Sequence, residues 1–188
     1  MSVKVSSTGV SLDRVTAILS GIPGAVPGAV RSALKRAGDT ATAQSGRFAA
    51  AEYHISQGTF KANSKQHVKQ EDSAGGGISL NIKFAGRVLP LLTFQARYSK
   101  GSLMYAKVRR DSGGGTLRSV FIASLGGRLG AYERVGKSRF PLSKKYGPST
   151  AHMMQHEDVV KEMDKTISET YDKRIEHEIT RILSGYGR

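Results

Sequence analysis

The order of elements in this sequence predicts an α+β fold: N-terminal helices including one long alanine-rich helix, a small antiparallel β-sheet, and a long C-terminal helix packed on it. Three stretches carry the prediction. From Pro27, "PGAVRSALKRAGDTATAQSGRFAAAEYHI" places Val30, Leu34, Ala37, Ala41, Phe48 and Ile55 near helical spacing. "ISLNIKF" alternates Ile78, Leu80, Ile82 and Phe84 with Ser79, Asn81 and Lys83, the period of a half-buried strand. From Pro148 or Ser149 to about Leu183, the residues Val160, Met163, Ile167, Tyr171, Ile175, Ile179 and Ile182 lie along one stripe of a helix.

The other elements follow in order. Ser11 can cap a short helix over residues 12 to 19, with Asp13 in its first turn where negative charge suits the helix dipole. "GIPGAVPGA" interrupts it before the long helix. Gly38 and Gly46 each weaken that long helix by up to about 1 kcal/mol relative to Ala, unless a neighbour packs closely against them. Residues 56 to 77 are polar and end in three glycines, which predicts a short helix or a loop followed by a flexible link. After the first strand, "AGR" can turn the chain into "VLPLLTF", where Pro90 demands an edge, a bulge or a break. "SLMYAKVRR" and "TLRSVFIASL" are further strand-like runs separated by the glycine tip 113 to 115. "GGRLGAYERV" reads as a turn and a returning strand, so residues 78 to 135 form a small antiparallel sheet. Gly185 stops the last helix. The expected organisation is one domain over 1–188: an N-terminal helical region over 1–74, the sheet over 75–136, a basic loop over 137–149 and the C-terminal helix over 150–184.

A chain of 188 residues can bury a real core. It has no cysteine, so disulfides, zinc fingers and thiolate metal sites are excluded. No stretch approaches the ~20 apolar residues of a membrane span, and the N-terminus lacks the apolar segment of a signal peptide. The expectation is a protein with no membrane partner, made and kept in the cytoplasm unless it leaves inside a larger particle.

Charge is the strongest bulk signal: 29 Lys and Arg against 15 Asp and Glu, a net charge of +14. It is unevenly spread, with 23 basic and 7 acidic residues over 1–150 but 6 and 8 over 151–188. Such a distribution steers a polyanion or an acidic protein surface toward the chain.

Catalytic and metal patterns compete with plainer readings. His152 and His156, four apart, would share one face of a helix and with Glu157 could hold a divalent ion, but the zinc-protease pattern needs its Glu between the histidines. The plainer reading is two histidines at a helix start, and no metal site is assigned. The glycine clusters at 75–77 and 113–115 lack the Lys-Ser or Lys-Thr pair that opens a helix after a phosphate loop, and read as mobile loop tips. No Gly-x-Ser-x-Gly elbow and no Ser, His and acid set emerges. Glu157 with Lys161 and Glu169 with Lys173 fit ion pairs on a solvated helix face. The expectation is a protein that is not an enzyme, with no catalytic residues and no cofactor.

The basic segment stands out instead. From Arg97 to Lys145 there are twelve cations and two acids, Asp111 and Glu133. Its end, "RVGKSRFPLSKKYGPST", holds five cations, no acid and two prolines. A charge run is often only a solvated face, whereas here prolines restrict the backbone, so less entropy is lost when the segment docks. The candidate interaction residues, toward another subunit or DNA, are Arg134, Lys137, Arg139, Phe140, Pro141, Lys144, Lys145, Gly147 and Pro148. No helix-turn-helix, RNA-recognition aromatic motif or basic zipper is present, so any DNA contact is expected to ignore sequence.

Residues 117 to 150, "LRSVFIASLGGRLGAYERVGKSRFPLSKKYGPST", resemble minor tail protein Z and related tail-completion (neck) families of tailed bacteriophages. The likeness rests on a strand with Phe121, Ile122 and Ala123, the Gly126-Gly127 turn, a returning strand ending in Arg134, then Gly-Lys-x-Arg-aromatic-Pro and a Gly-Pro pair. The alanine-rich helix and the closing helix extend it over residues 25 to 185. This resemblance implies a structural virion protein of the neck or tail top, required for tail completion and head-tail joining. It implies a homo-oligomeric ring with six-fold symmetry around the DNA channel. The implied partners are other copies of the chain, neck or tail proteins such as the tail terminator, tube or head-tail connector, and genomic DNA. Synthesis in the host bacterial cytoplasm and residence in the virion follow from it. The acidic last helix departs from more arginine-dense relatives. The alternative is a sequence-independent DNA-binding protein acting outside the virion.

Overall fold

A computed structural model describes residues 2–6, 9–72, 77–97 and 104–185 of the chain. Gly75 and Gly76 of the expected flexible link, and Ser102 and Leu103 of the second strand-like run, lie outside the described residues. The fold class is α+β, as expected: among the described residues, helices α1 (Gly9–Leu19), α2 (Ala25–Glu52), α3 (Gln57–Asn63), α4 (Thr150–Met153) and α5 (Glu157–Leu183) accompany eleven short strands. Among the described residues, no helix is long and apolar enough to cross a membrane. The chain divides into two compact units, one of residues 1–45, 66–84 and 160–188, the other of residues 46–65 and 85–159.

The first unit is helical with one small sheet. Strand β3 (Ile78–Ala85) lies between β1 (Ser2–Ser6) and β2 (Lys65–Asp72), with β1 antiparallel to it and Val5 opposite Leu80. The alternation read in β3 holds: Ile78, Leu80, Ile82 and Phe84 are buried. Asn81 is buried as well; its Nδ2 donates to Glu71 Oε2 at 2.7 Å, while its Oδ1 accepts no hydrogen bond among the described residues. On α2 the buried positions Ala29, Val30, Ala33, Leu34, Ala37 and Ala41 keep helical spacing with small side chains. That permits close packing, and Gly38 shows how close: a Cβ there would stand 3.0 Å from Leu80 Cδ2 and 3.1 Å from Val68 Cγ1. Its cost to helix propensity is thus offset by contact with the sheet. Along α5, Met163, Ile167, Tyr171, Ile175 and Ile179 are buried at four-residue intervals, while Val160 and Ile182 at the ends of the stripe are half-buried.

The second unit is built from short strands. Strands β5 (Gln95–Arg97), β6 (Met104–Lys107) and β7 (Gly115–Leu117) form one antiparallel sheet, β8 (Val120–Leu125), β9 (Arg128–Arg134) and β10 (Leu142–Lys144) another, and β4 (Val88–Pro90) pairs with β11 (Tyr146–Ser149). The single sheet expected over residues 78 to 135 is therefore several small ones. Pro90 ends its strand at a 3-10 turn over Leu91–Thr93, the break its missing N–H demanded. Gly126 and Gly127, with φ of 57° and 74°, make the two-residue turn joining β8 to β9, a conformation that favours glycine at both positions. A cluster of Leu91, Met104, Ala106, Val120 and Ala131 forms the interior of these sheets.

Three expectations are corrected. Residues 65 to 72, read as loop or link, form β2; its side chains are largely polar and give no apolar alternation to read. Residues 137 to 149, read as a loop, contain β10 and β11, so the tip between β9 and β10 and Lys145 between the two strands are what remains outside regular structure. The C-terminal helix does not run unbroken from residue 150: α4 ends after one turn, and α5 restarts at Glu157 with Glu157 and Asp158 in its first turn.

Candidate interaction surface

The predicted basic segment folds as a hairpin and a following strand, and the nine candidate residues separate accordingly. Arg134 closes β9 opposite Leu142 of β10, and the tip is tied by Val135 N donating to Pro141 O at 3.2 Å. The Phe140–Pro141 peptide is cis. Lys137, Arg139, Phe140 and Pro141 are exposed on this tip, with Phe140 58% and Val135 67% accessible. The Arg139 guanidinium lies 5.8 Å from the Phe140 ring centroid, and Arg134 lies 5.7 Å from that of Phe121. Leu125 and Leu129, beside the glycine turn at the other end of the β8–β9 hairpin, are exposed too. The two ends of the hairpin thus each expose large apolar side chains, and at the tip these stand beside Lys137 and Arg139.

The remaining candidates do structural work. Lys145 is half-buried; its Nζ forms an ion pair with Glu133 Oε2, while Ser119 Oγ donates to the other oxygen of the same carboxylate. These two contacts hold the Glu133 carboxyl below its ordinary range, the Lys145 bond being the larger cause. Lys145 N also donates to Ala131 O at 2.8 Å, and Leu91 N to Lys145 O at 3.1 Å, so its backbone ties the hairpin to the segment after β4. Lys144 places its ammonium 5.8 Å from the Tyr146 ring centroid. Gly147 is required by packing: a Cβ there would lie 2.4 Å from Phe94 Cε2. Pro148 falls in the irregular stretch of β11 between the paired residues Tyr146 and Ser149, where no ladder N–H is demanded of it.

Behind β11 lies an open cleft of about 1060 Å³ that the sequence did not disclose. Tyr146, Gly147, Pro148 and Ser149 form one side, with Tyr53, Val108, Arg109, His152 and His156 among the other lining residues. Burial raises the Tyr53 phenol above its ordinary range. Arg109 is bound by Asp111, through Nε to Oδ1 at 2.9 Å and a close Nη2 contact to Oδ2. That arrangement holds the Asp111 carboxyl down. The two serine hydroxyls serve the backbone: Ser149 Oγ accepts from His152 N at 3.1 Å as the cap of α4, and Ser112 Oγ donates to Arg109 O at 3.3 Å.

His152 and His156 do not share a helix face, because α4 ends between them; His152 is exposed and His156 sits in the turn before α5. The residues that can hold a cation here are instead Glu52, His156 and Asp158, each with one donor atom within 4.8 Å of the others. His156 Nδ1 stands 3.6 Å from Asp158 Oδ2, a separation equally suited to an ion pair when the imidazole is protonated. Glu52 could not be foreseen in this group, since it lies about a hundred residues away at the end of α2.

Comparison with known proteins adds no assignment: no protein-family model, no curated protein and no solved structure matches this chain.

Proposed function

We propose that the protein is a structural component of a phage virion, acting at the neck or tail top in tail completion and head-tail joining as a ring of identical subunits around the DNA channel. The observation that carries the reading is the β9–β10 tip, where Val135 and Phe140 stand exposed among Lys137 and Arg139. The resemblance of residues 117 to 150 to tail-completion families supplies the setting. A ring requires a heterologous contact, one surface of a subunit against a different surface of the next. The charge pattern supports such a contact: the tip is cationic, whereas α5 carries eight carboxylates against five cations. Complementary charge would then set the register and speed of assembly, and Phe140 would supply the buried anchor. No proton-transfer or nucleophilic role is required of any residue in this mechanism.

The test is a variant with Lys137→Ala, Arg139→Ala and Phe140→Ser. All three side chains are exposed, so each change is expected to alter stability by no more than about 0.5 kcal/mol. Sedimentation of the purified chain and a phage complementation assay of head-tail joining are expected to show loss of assembly. A normally folded variant that assembles and joins as the parent does would remove the tip from the mechanism. The net charge of +14 favours a second reading, sequence-independent DNA binding outside a virion. Tight DNA binding that weakens steeply with salt, without sedimentation on tail tubes, would favour it.

A further inference from the structure

Away from the basic hairpin, the helical unit contains a polar hollow of about 410 Å³ between α2 and α5. On α2 it is lined by Ser32, Lys35, Arg36 and Asp39, whose spacing of three, four and seven residues puts them on one helix face. On α5, Arg174, Glu178 and Arg181 repeat that kind of spacing. Ser32 Oγ donates to Glu178 Oε1 at 2.8 Å, which locks the two helices together at the hollow.

Glu178 is 7% exposed, and burying a bare carboxylate there would be costly. Arg181 Nη2 offsets its charge at 2.6 Å. A guanidinium has five N–H donors, so an arginine held in this way keeps donors to spare. Lys35, Arg36 and Arg174 are different: among the described residues none of these side chains has an ion-pair or hydrogen-bond partner, and Asp39, one turn from the first two, pairs with neither. Counting Lys and Arg against Asp and Glu, four cations face two carboxylates, a surplus of two positive charges in a concave site. A concavity lined by one sign of charge focuses the field and raises the local concentration of the opposite ion.

We propose that this hollow binds a phosphoryl group. A phosphate monoester carries about −1.5 to −2 charges at neutral pH and three strong acceptor oxygens, which matches both the surplus and the donors converging from two helices. A planar carboxylate is satisfied by one bidentate arginine, whereas a tetrahedral phosphoryl group accepts from several directions at once. The volume lies in the range of small-ligand sites, about 300–1,000 Å³. A free phosphorylated ligand presents that dianionic group; each phosphodiester of nucleic acid carries a single charge, so two neighbouring backbone phosphates would be needed to meet the same surplus. The site does not depend on the assembly reading above.

The test titrates the full purified chain with pyrophosphate and, separately, with a short DNA duplex by calorimetry. Wild type is compared with Lys35→Ala/Arg174→Ala and with the control Lys165→Ala/Lys173→Ala, which removes the same charge from α5 positions that do not line the hollow. Circular dichroism checks the fold. Loss of pyrophosphate affinity by about tenfold or more in the first variant, but not in the control, is expected for a free ligand. The same selective loss with duplex alone identifies the phosphodiester source. Absence of binding by wild type in both titrations, or changes below about twofold, or equal losses in variant and control, overturns the proposal.

Discussion

The two compact units differ less in how many cations they carry than in what answers them. The helical unit has 13 Lys and Arg against 10 Asp and Glu, while the strand-rich unit has 16 against 5. The apolar residues divide in the same way. Among the described residues, six of the nine exposed large hydrophobics, Val88, Leu125, Leu129, Val135, Phe140 and Tyr146, belong to the strand-rich unit. In the helical unit, long amphipathic elements bury an apolar stripe, and away from the hollow between α2 and α5 the acids nearly match the cations in number. In the other, strands of three to seven residues cannot bury all their apolar side chains, and those left outside stand among cations that outnumber the acids. The first pattern is that of a closed core; the second leaves apolar side chains exposed among cations, and the proposed docking rests on it.

This contrast can be broken most directly at the helical interior. Leu80 is fully buried and lies against Gly38, so Leu80→Ala is expected to cost about 2–5 kcal/mol, read as a fall in the denaturant midpoint at unchanged slope. A loss below that range would mean that this unit's stability does not reside in its apolar stripe. A smaller effect is expected in the strand-rich unit at Gly147→Ala, where the added methyl meets the Phe94 ring and overpacking costs about 1–3 kcal/mol. Tolerance of that change would return Gly147 to the residues free to serve docking.

The mildest test is of pH. Glu133 has a depressed pKa in the fold, so its pairing with Lys145 and Ser119 contributes stability above the ordinary carboxylate range, and that contribution is lost as pH falls through the depressed value. Protection of the β9 and β10 amides, measured against the intrinsic exchange rate at each pH, is therefore expected to fall under acid, and Glu133→Gln is expected to remove this acid-dependent component. An unchanged pH profile in that variant would show that the ion pair does not secure the hairpin.

How much could be read beforehand depended on the range of the interactions involved. The α2 and α5 stripes, the β3 alternation, the Gly126-Gly127 turn and a helix start at Pro148 or Ser149 were legible because each is a relation among residues a few positions apart; the cap proves to be Ser149. Strand β2 was not, since its polar residues show no period. The break after α4 was not, since Met153, Met154 and Val159 sustain an apolar pattern across it. The nine candidate residues stand out in the sequence as a cationic, proline-bearing segment, but composition could not separate exposed Lys137 from Lys145, whose partner Glu133 lies across a strand pair.

Composition and spacing along the chain are enough to set the class of fold, the periodicity of its long elements, the absence of thiol chemistry and the concentration of positive charge before residue 150. The tertiary structure alone decided which cations are matched and which stand open, that Gly147 serves the Phe94 ring, and that Lys35 and Arg174 meet at one hollow. The physical reason is that periodicity and composition are properties of neighbouring residues, whereas the partner of a charge is chosen by chain segments that meet only after the backbone has folded.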